Sequence, residues 1–241
     1  MKIGVITDVH ANLPALEKAV EVLRGENCSK IFHVGDLISI GPYSRECLEL
    51  ALSIPEMEFI MGNHDYWYAF GLPSSNPKWM SKEEVDHQNW THQQIGSQYR
   101  SQVQQWPFFI DFQVDKIKLT FRHYGLNQNK DWFKPIVKNP SAKDMDQIFD
   151  DVEADIVFYG HHHPQSEIDG QRRYINVGSA GCHDRSEVRI GILEVEDDIV
   201  DFHHKSVQYE DGSLIQEFDK RDVPARDLIR KVFIVRNPFS G

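Results

Sequence analysis

Five short motifs in this sequence combine residue types that commonly bind divalent transition metals. Each motif follows or ends an apolar run of the kind that forms a β-strand. In chain order the motifs are Asp8-Val9-His10, Gly35-Asp36, Gly62-Asn63-His64-Asp65, the single His123, and Gly160-His161-His162-His163. The packing of a hydrophobic core does not require such clusters, and polar groups just beyond strand ends usually serve function. The motifs therefore predict a chemical site.

Metal binding is the chemistry that these residue types favour. Imidazole nitrogens and carboxylate oxygens are common ligands of divalent transition ions, and one carboxylate can bridge two ions. Twelve histidines in 241 residues also favour a metal protein. The candidate ligands, enough for two metal sites that share a carboxylate, are Asp8, His10, Asp36, Asn63, His123, His161 and His163. No cysteine lies in a motif with metal-ligand spacing.

The overall composition excludes several classes of function. A chain with 26 basic and 37 acidic residues has a net charge of -11, and no more than two basic residues stand in a row. Duplex nucleic acid and anionic membranes are therefore not expected partners. Phosphate substrates remain compatible with the negative net charge, because bound cations would make the local electrostatic field positive. Three unevenly spaced cysteines, no signal-peptide pattern and no long apolar stretch predict a soluble, cytoplasmic protein.

Alternating strand and helix patterns predict how the first three motifs come together. We expect strands at Lys2–Thr7, Ile31–Val34 and Met57–Met61, with helices that begin after the N-cap Asn12 and at Ser44. This order is typical of a parallel sheet built from βαβ units. Ligands of such sheets bind beyond the carboxyl ends of the strands. The first three motifs should therefore meet at one edge of the sheet.

The rest of the chain adds a helical segment, further strands and a tail. Residues 66–106, with a loop at 71–77, predict a one- or two-helix cap inserted between strands. A hairpin across Asp115-Lys116 should follow. Later elements are a helix at 142–151 and strands at 155–159, 174–177, 188–195 and 199–209. We treat residues 1–241 as a single domain whose extension, 197–241, contains a strand, a polar linker and an amphipathic segment at about 223–235.

The five motifs, in this order, resemble the signature of the calcineurin-like metallophosphoesterase superfamily. Single motifs of this kind occur by chance, whereas all five in order, each behind a strand, are specific. The segments Gly35–Pro42 and Asn176–Gly181 look like the bacterial and archaeal branch of small phosphoesterases, which is related to diadenosine tetraphosphatases and serine/threonine protein phosphatases. The resemblance covers residues 1–195. It implies an α+β fold, a four-layer α/β/β/α sandwich of two mixed sheets with the metals on loops at one edge.

The same resemblance implies a role for each matching residue. One metal would be held by Asp8, His10, Asp36 and His163, and the other by Asp36, Asn63, His123 and His161. Asp36 would bridge two ions, which would activate a water molecule for attack on phosphorus. The ions would be manganese, iron or zinc. His64 would face the scissile phosphate or leaving group and assist the reaction. Asp65 would orient His64 through a hydrogen bond.

Some residues keep a second interpretation. His123 is followed by Tyr124, where the branch usually has histidine directly before glycine, so His123 could instead be a core histidine. Arg185 follows a turn near which the branch commonly places a phosphate-binding arginine, and the alternative is a solvated loop position. Cys182 is interpreted as a buried bystander thiol. The aromatic residues are interpreted mainly as core or cap packing, with one or two as possible pocket-lining groups: Tyr66, Trp67, Tyr68, Phe70, Trp79 and Trp90.

The function implied is hydrolysis of phosphomonoesters or phosphodiesters. A cap would restrict access to the site, which favours a small phosphorylated substrate such as a nucleotide over a phosphoprotein. The alternative from a different class is a metal-binding interaction scaffold with the same fold. Such scaffolds typically lack His64 or several ligands, and this chain retains all of them.

Overall fold

The computed structural model describes residues 1–73 and 79–233, and its strands form two five-stranded sheets. The strands are β1 (Lys2–Ile6), β2 (Lys30–His33), β3 (Met57–Phe59), β4 (Phe109–Val114), β5 (Ile117–Arg122), β6 (Ile156–Tyr159), β7 (Ser166–Asp169), β8 (Arg173–Asn176), β9 (Glu187–Glu196) and β10 (Ile199–Gln208). The first sheet has the order β10-β9-β1-β2-β3, and the second has the order β4-β5-β6-β8-β7.

Helices cover the outer face of each sheet. They are α1 (Leu13–Gly25), α2 (Ser44–Leu52), α3 (Asn63–Phe70), α4 (Lys82–Ile95), α5 (Arg100–Val103), α6 (Ala142–Ile148), α7 (Gly212–Lys220) and α8 (Arg226–Phe233). Helices α1 and α2 share a core with the first sheet, and α6 shares one with the second. A separate core lies between the sheets. The predicted α+β class and four-layer α/β/β/α sandwich are confirmed.

Strand β1 shows how the sequence builds these layers. Its side chains alternate, so Ile3 and Val5 belong to the core between the sheets, whereas Ile6 belongs to the core under the helices. Gly4 lies on the helix side, where a Cβ atom would come within 2.6 Å of a methyl carbon of Leu23 in α1. Glycine at this position therefore lets α1 pack directly on the strand.

The topology brings all five motifs to one end of the sandwich. Strands β1, β2 and β3 are mutually parallel, as the sequence predicts, and β5, β6 and β8 are parallel in the second sheet. The predicted hairpin pairs Val114 of β4 with Ile117 of β5. Because parallel strands end at the same edge, the residues that follow β1, β2, β3, β5 and β6 are neighbours.

Two local predictions differ from the structure. Strand β3 ends at Phe59, and the motif that begins at Gly62 forms the first turn of α3 rather than a loop. The segment predicted to be a polar linker contains α7, because Leu214 and Phe218 are one helical turn apart and both are buried. Parts of the predicted loop at 71–77 and of the amphipathic segment at 223–235 lie outside the described residues.

Among the described residues, none of the helices has the length and apolar character that a membrane crossing requires.

Asn12 ties α1 to the neighbouring loops as well as capping it. Its side-chain oxygen accepts a hydrogen bond from Ala15 N at 3.2 Å, which confirms the predicted N-cap. Its amide nitrogen donates to Gly181 O at 2.9 Å and to the Tyr209 hydroxyl at 2.7 Å. One buried side chain therefore joins the start of α1 to the loop after β8 and to the residue after β10.

Replacing Asn12 with alanine should lower the free energy of unfolding by about 2 kcal/mol or more. Loss of an N-cap costs about 0.5–2 kcal/mol, and a buried acceptor left without a partner adds about 1–3 kcal/mol. Urea unfolding of the full chain measures the change. Asn12→Ser is the matched variant, since serine caps helices as well as asparagine but is too short for the other two bonds. It should lie between wild type and Asn12→Ala, and an Asn12→Ala protein as stable as wild type would contradict the assignment.

Candidate active site

The backbone at the motif positions is held in an unusual conformation. Asp8, His10, Asp36 and His161 all have positive φ angles, of 52°, 48°, 57° and 67°. Left-handed conformations are uncommon for residues with a side chain, and they persist only where the surroundings enforce them. Hydrogen bonds from Asp8 N to Gly35 O and from His10 N to Asp36 O, both 3.0 Å, provide part of that enforcement. The strain therefore coincides with the predicted ligand positions.

Two motif glycines allow the loops to approach closely. A Cβ atom on Gly62 would lie 2.2 Å from both Asp36 N and Asp36 Oδ1. Gly35 has a φ of 90°, and a Cβ atom there would lie 2.5 Å from His123 Nδ1. Only glycine leaves room for the second and third motifs to pack against each other and against His123.

The first and last motifs supply one group of converging donor atoms. His10 Nε2 and His163 Nε2 are 3.1 Å apart, and each is 3.6 Å from Asp8 Oδ1. These three atoms form a group compact enough to hold a metal ion. Asp36 Oδ2 lies 3.8 Å from His10 Nε2 and adds a fourth donor. The group matches the ligand set that the resemblance assigns to the first metal.

A second group forms around the other side of Asp36. Asp36 Oδ2 is 3.2 Å from His123 Nε2, and His161 completes a second compact set of potential ligands. One terminal atom of the Asn63 side-chain amide lies 3.3 Å from His123 Nε2, 3.3 Å from Asp36 Oδ2 and 3.0 Å from His161 Nδ1. His123 is fully buried, as expected of a core histidine, and it is also a member of this group of potential ligands.

Each carboxylate in the cluster has one oxygen held by the protein and the other directed at the imidazoles. Asp8 Oδ2 accepts hydrogen bonds from the Thr7 hydroxyl at 2.7 Å and from His161 N at 3.1 Å. Asp36 Oδ1 accepts from His64 N at 2.9 Å. Of the second oxygens, Asp8 Oδ1 accepts a longer bond of 3.3 Å from the same His161 N–H group and lies beside His10 and His163, while Asp36 Oδ2 faces both groups of donors.

The donor set is suited to a cation as well as to hydrogen bonds. The Asn63 amide lies against two acceptor atoms, Asp36 Oδ2 and His161 Nδ1. With its NH₂ group toward them it would donate to both, whereas with its oxygen toward them it would join them as a ligand of a bound cation. His123 Nδ1 lies 2.8 Å from Val34 O, and because a carbonyl can only accept, this nitrogen carries the proton. That hydrogen bond leaves Nε2 directed at Asp36, the arrangement common to metal-binding histidines. The His and Asp groups are therefore suited to divalent metal ions.

Electrostatics lead to the same conclusion. Burial lowers the pKa of His123, but the negative charge of Asp36 outweighs it and raises that pKa to about 9. Burial would raise the pKa of Asp36, yet the neighbouring imidazoles hold it well below its usual range. The buried carboxylates thus attract positive charge, which protons or metal ions can supply.

His64 lies beside this cluster at the start of α3. Its ring centre is 5.1 Å from that of His10, and one of its ring nitrogens lies within 4.8 Å of ligand atoms of His10 and Asp36. Its Nδ1 atom is 2.9 Å from Nε2 of Gln88, a buried residue of α4. Burial lowers the pKa of His64 to about 3, so the ring is neutral near pH 7.

The predicted hydrogen bond between Asp65 and His64 is wrong. The Asp65 carboxylate instead accepts from three backbone N–H groups: Asp36 N at 2.7 Å, Leu37 N at 3.1 Å and Gly62 N at 3.1 Å. Asp65 is the third residue of α3, where a carboxylate folds back onto the residue before the helix. It therefore fastens the Asp36 loop to the start of α3, and Gln88 takes the position beside His64.

Sequence reasoning missed Gln88 because nothing local marks it. It lies 24 residues after His64 in a polar helix and belongs to no motif. The capping box of α4, in which Ser81 and Glu84 bond each other's backbone N–H groups, identifies the helix but not which of its residues faces inward. Only the packing of α4 reveals the contact.

The remaining candidates fall outside the cluster. Arg185 is exposed, and among the described residues its contact is a backbone hydrogen bond to His183, not to the metal-binding groups. Cys182 is buried, and burial raises the pKa of its thiol well above the usual value, as expected of a bystander. Tyr124 is also buried, and its hydroxyl accepts a hydrogen bond from Val137 N.

Most of the aromatic candidates pack within the protein, but two reach the surface. Tyr68 is fully buried, and Trp90 packs beside α7. The Trp67 ring lies 4.8 Å from His64 on one side and 5.7 Å from the ring of Trp79 on the other. Trp79 is 62% exposed and Phe70 is 54% exposed. A row of rings therefore runs from His64 to the surface.

The chain is similar in sequence and in fold to known proteins. Residues 1–198 match the calcineurin-like phosphoesterase superfamily domain. The uncharacterized protein MJ0912 of Methanocaldococcus jannaschii is 26% identical over 86% of this chain and 92% of its own length. The hypothetical protein PH1004 of Pyrococcus horikoshii OT3 has a similar fold, with a TM-score of 0.79, 17% identity, and coverage of 97% of this chain and 98% of that one.

A metallophosphoesterase from Sphaerobacter thermophilus is also similar in fold, with a TM-score of 0.67 and 23% identity over 95% of this chain and 97% of its own. The family match spans all five motifs, and the motifs converge on the cluster of His and Asp donors. The chain therefore belongs to the calcineurin-like phosphoesterase superfamily and is a metal-dependent hydrolase of phosphoric esters.

Proposed function

We propose that the protein hydrolyses phosphomonoesters or phosphodiesters of small molecules with two divalent cations bound side by side. Asp8, His10, Asp36 and His163 would hold one cation, and Asp36, Asn63, His123 and His161 the other. The observation that supports this proposal most strongly is the position of Asp36 Oδ2, which lies 3.8 Å from a donor atom of one group and 3.2 Å from a donor atom of the other. Manganese, iron and zinc all suit this mixture of nitrogen and oxygen ligands.

The cations, when bound, would lower the pKa of a water molecule and neutralise the charge of the phosphate oxygens. The protein's own contribution is to fix the ligand directions before substrate arrives. Thr7 and the His161 N–H group hold Asp8, while the His64 N–H group holds Asp36. Such preorganisation reduces the free energy that the protein must spend on rearrangement during the reaction.

His64 is the residue that we assign to the substrate side. Because it is neutral, it would donate a hydrogen bond from Nε2 to a phosphate or leaving-group oxygen rather than act as a stable imidazolium. A hydrogen bond donated to the leaving oxygen would stabilise the negative charge that develops there during the reaction.

An anionic substrate needs bound cations to attract it to this acidic protein. The net charge is -11, and a separate surface groove of about 640 Å³ is lined by four carboxylates, of Glu17, Glu21, Glu210 and Asp211, and by Lys18, which pairs with Glu21. That groove disfavours phosphate, whereas cations at the cluster would attract it. A nucleotide fits the row of rings beside His64, since bases stack on exposed tryptophan.

Three cysteines without a disulfide also suit a cytoplasmic location.

Removal of bound metal should abolish hydrolysis of p-nitrophenyl phosphate and bis-p-nitrophenyl phosphate. Chelation followed by gel filtration gives the metal-free protein, and added Mn²⁺ or Zn²⁺ should restore turnover as the ions return to the ligands. Metal content and activity are measured on the same samples. Turnover that is unchanged after complete metal removal would contradict the proposal, as would a folded, metal-loaded protein inactive on a broad panel of phosphate esters.

Replacing His64 with asparagine should reduce kcat by about 10²–10⁴-fold, because the group that assists the leaving oxygen is lost. The metal content should not change, since His64 is not assigned as a ligand. His162→Asn is the matched control: His162 stands between two proposed ligands but is only half-buried, and its replacement should leave kcat within a factor of two or so. A metal-binding scaffold would show no loss in either variant.

A further inference from the structure

Helix α4 holds two adjacent polar side chains in buried positions. His87 is 4% exposed and Gln88 is 3% exposed. Amphipathic surface helices normally bury apolar groups, and burying a polar side chain costs free energy unless it is hydrogen-bonded. Both residues are bonded to other segments of the chain, and one of those segments is the start of α3. Their partners indicate what the helix does.

Gln88 contacts one of the two ring nitrogens of His64. Gln88 Nε2 lies 2.9 Å from His64 Nδ1. An amide N–H group can only donate, so His64 Nδ1 is the acceptor and the proton of the neutral ring sits on Nε2. Nε2 is then the nitrogen that remains for substrate. One ring nitrogen of His64 lies within 4.8 Å of the ligand atoms of His10 and Asp36.

The orientation of the Gln88 amide has a physical basis. With Nε2 toward His64, the only buried side-chain atom of Gln88 without a hydrogen-bond partner is its oxygen, Oε1. The reversed amide would leave the NH₂ group unpaired instead. Unpaired buried N–H groups are rarer than under-satisfied carbonyl oxygens, so the orientation with Nε2 toward His64 is the less costly one.

His87 fixes the position from which Gln88 reaches His64. Its Nε2 accepts a hydrogen bond from Ile40 N at 2.8 Å, and its Nδ1 donates to Pro224 O at 3.1 Å. Ile40 lies in the loop that follows Asp36, and Pro224 lies between α7 and α8. Ile40 also packs in an apolar cluster with Leu214 and Phe218 of α7. The C-terminal helices therefore hold α4 against the Asp36 loop.

We propose that Gln88 is the positioning residue of His64: it holds the neutral ring with its proton on Nε2, so that His64 meets the substrate as a hydrogen-bond donor. The part of this inference that concerns substrate rests on the proposed function, whereas the position of the proton does not. A carboxylate at this position would do the opposite, because it can only accept and would draw the proton to Nδ1. The amide side chain is therefore chemically significant and not merely space-filling.

The position of the proton can be measured directly. Long-range ¹H–¹⁵N spectra of the full chain, labelled with ¹⁵N-histidine and loaded with diamagnetic Zn²⁺, distinguish protonated from unprotonated ring nitrogens. The His64 signals are assigned by their absence in His64→Asn. Wild type should show the proton on Nε2. Gln88→Glu, which keeps the size of the side chain, should move it to Nδ1, and Gln88→Met should remove the preference.

Activity provides the second readout. Gln88→Glu and Gln88→Met should each lower kcat by about 10–100-fold, with unchanged metal content and little change in KM. Gln94→Glu is the matched control, since it makes the same chemical change on the exposed face of the same helix and should behave as wild type.

A wild-type proton on Nδ1 would overturn the inference, as would a Gln88→Glu protein in which both the proton position and kcat are unchanged. If Gln88→Met fails to fold, the near-isosteric Gln88→Glu variant alone decides the question. If the metal-loaded wild type hydrolyses no phosphate ester, the proposed function fails, and the spectra still determine whether Gln88 controls the His64 ring.

Discussion

The buried carboxylate of Asp36 is the interaction on which the rest of the site depends. It is 2% exposed, one of its oxygens is fixed by the His64 N–H group, and the other faces imidazoles from both donor groups. A buried negative charge is costly unless positive charge compensates it. In this protein the compensation comes from groups contributed by both sheets, so the cluster holds the two halves of the sandwich in register at one end.

Much of the surrounding structure serves to hold that carboxylate in place. Asp65 binds the backbone of Asp36 and Leu37, Gly62 leaves the space into which Asp36 fits, and His87 holds Ile40 a few residues further on. The left-handed conformations of Asp8, His10 and Asp36 show that the chain accepts local strain to direct these side chains. Strain of about 1–3 kcal/mol per residue is tolerable only where such contacts are numerous.

The sequence predicts the parts of the site that depend on local signals. Asp8, Asp36, Asn63 and His161 each follow a strand, and strand order alone places them at one edge. The prediction failed for the partner of His64, because that partner depends on how α4 packs. The resemblance pairs Asp65 with His64, whereas the geometry of the first turn of α3 directs the Asp65 carboxylate to backbone N–H groups. The apolar spacing in α7 was present in the sequence but was obscured by its polar neighbours.

The central claim is that one carboxylate oxygen serves two metal ions. Anomalous diffraction from crystals of the manganese-loaded protein tests it most directly, because it locates the ions without reference to activity. The account predicts two peaks about 3.5–4 Å apart, both within ligand distance of Asp36, one beside His10 and His163 and the other beside His123 and His161. A single peak at full manganese loading, or two peaks of which only one contacts Asp36, would contradict it.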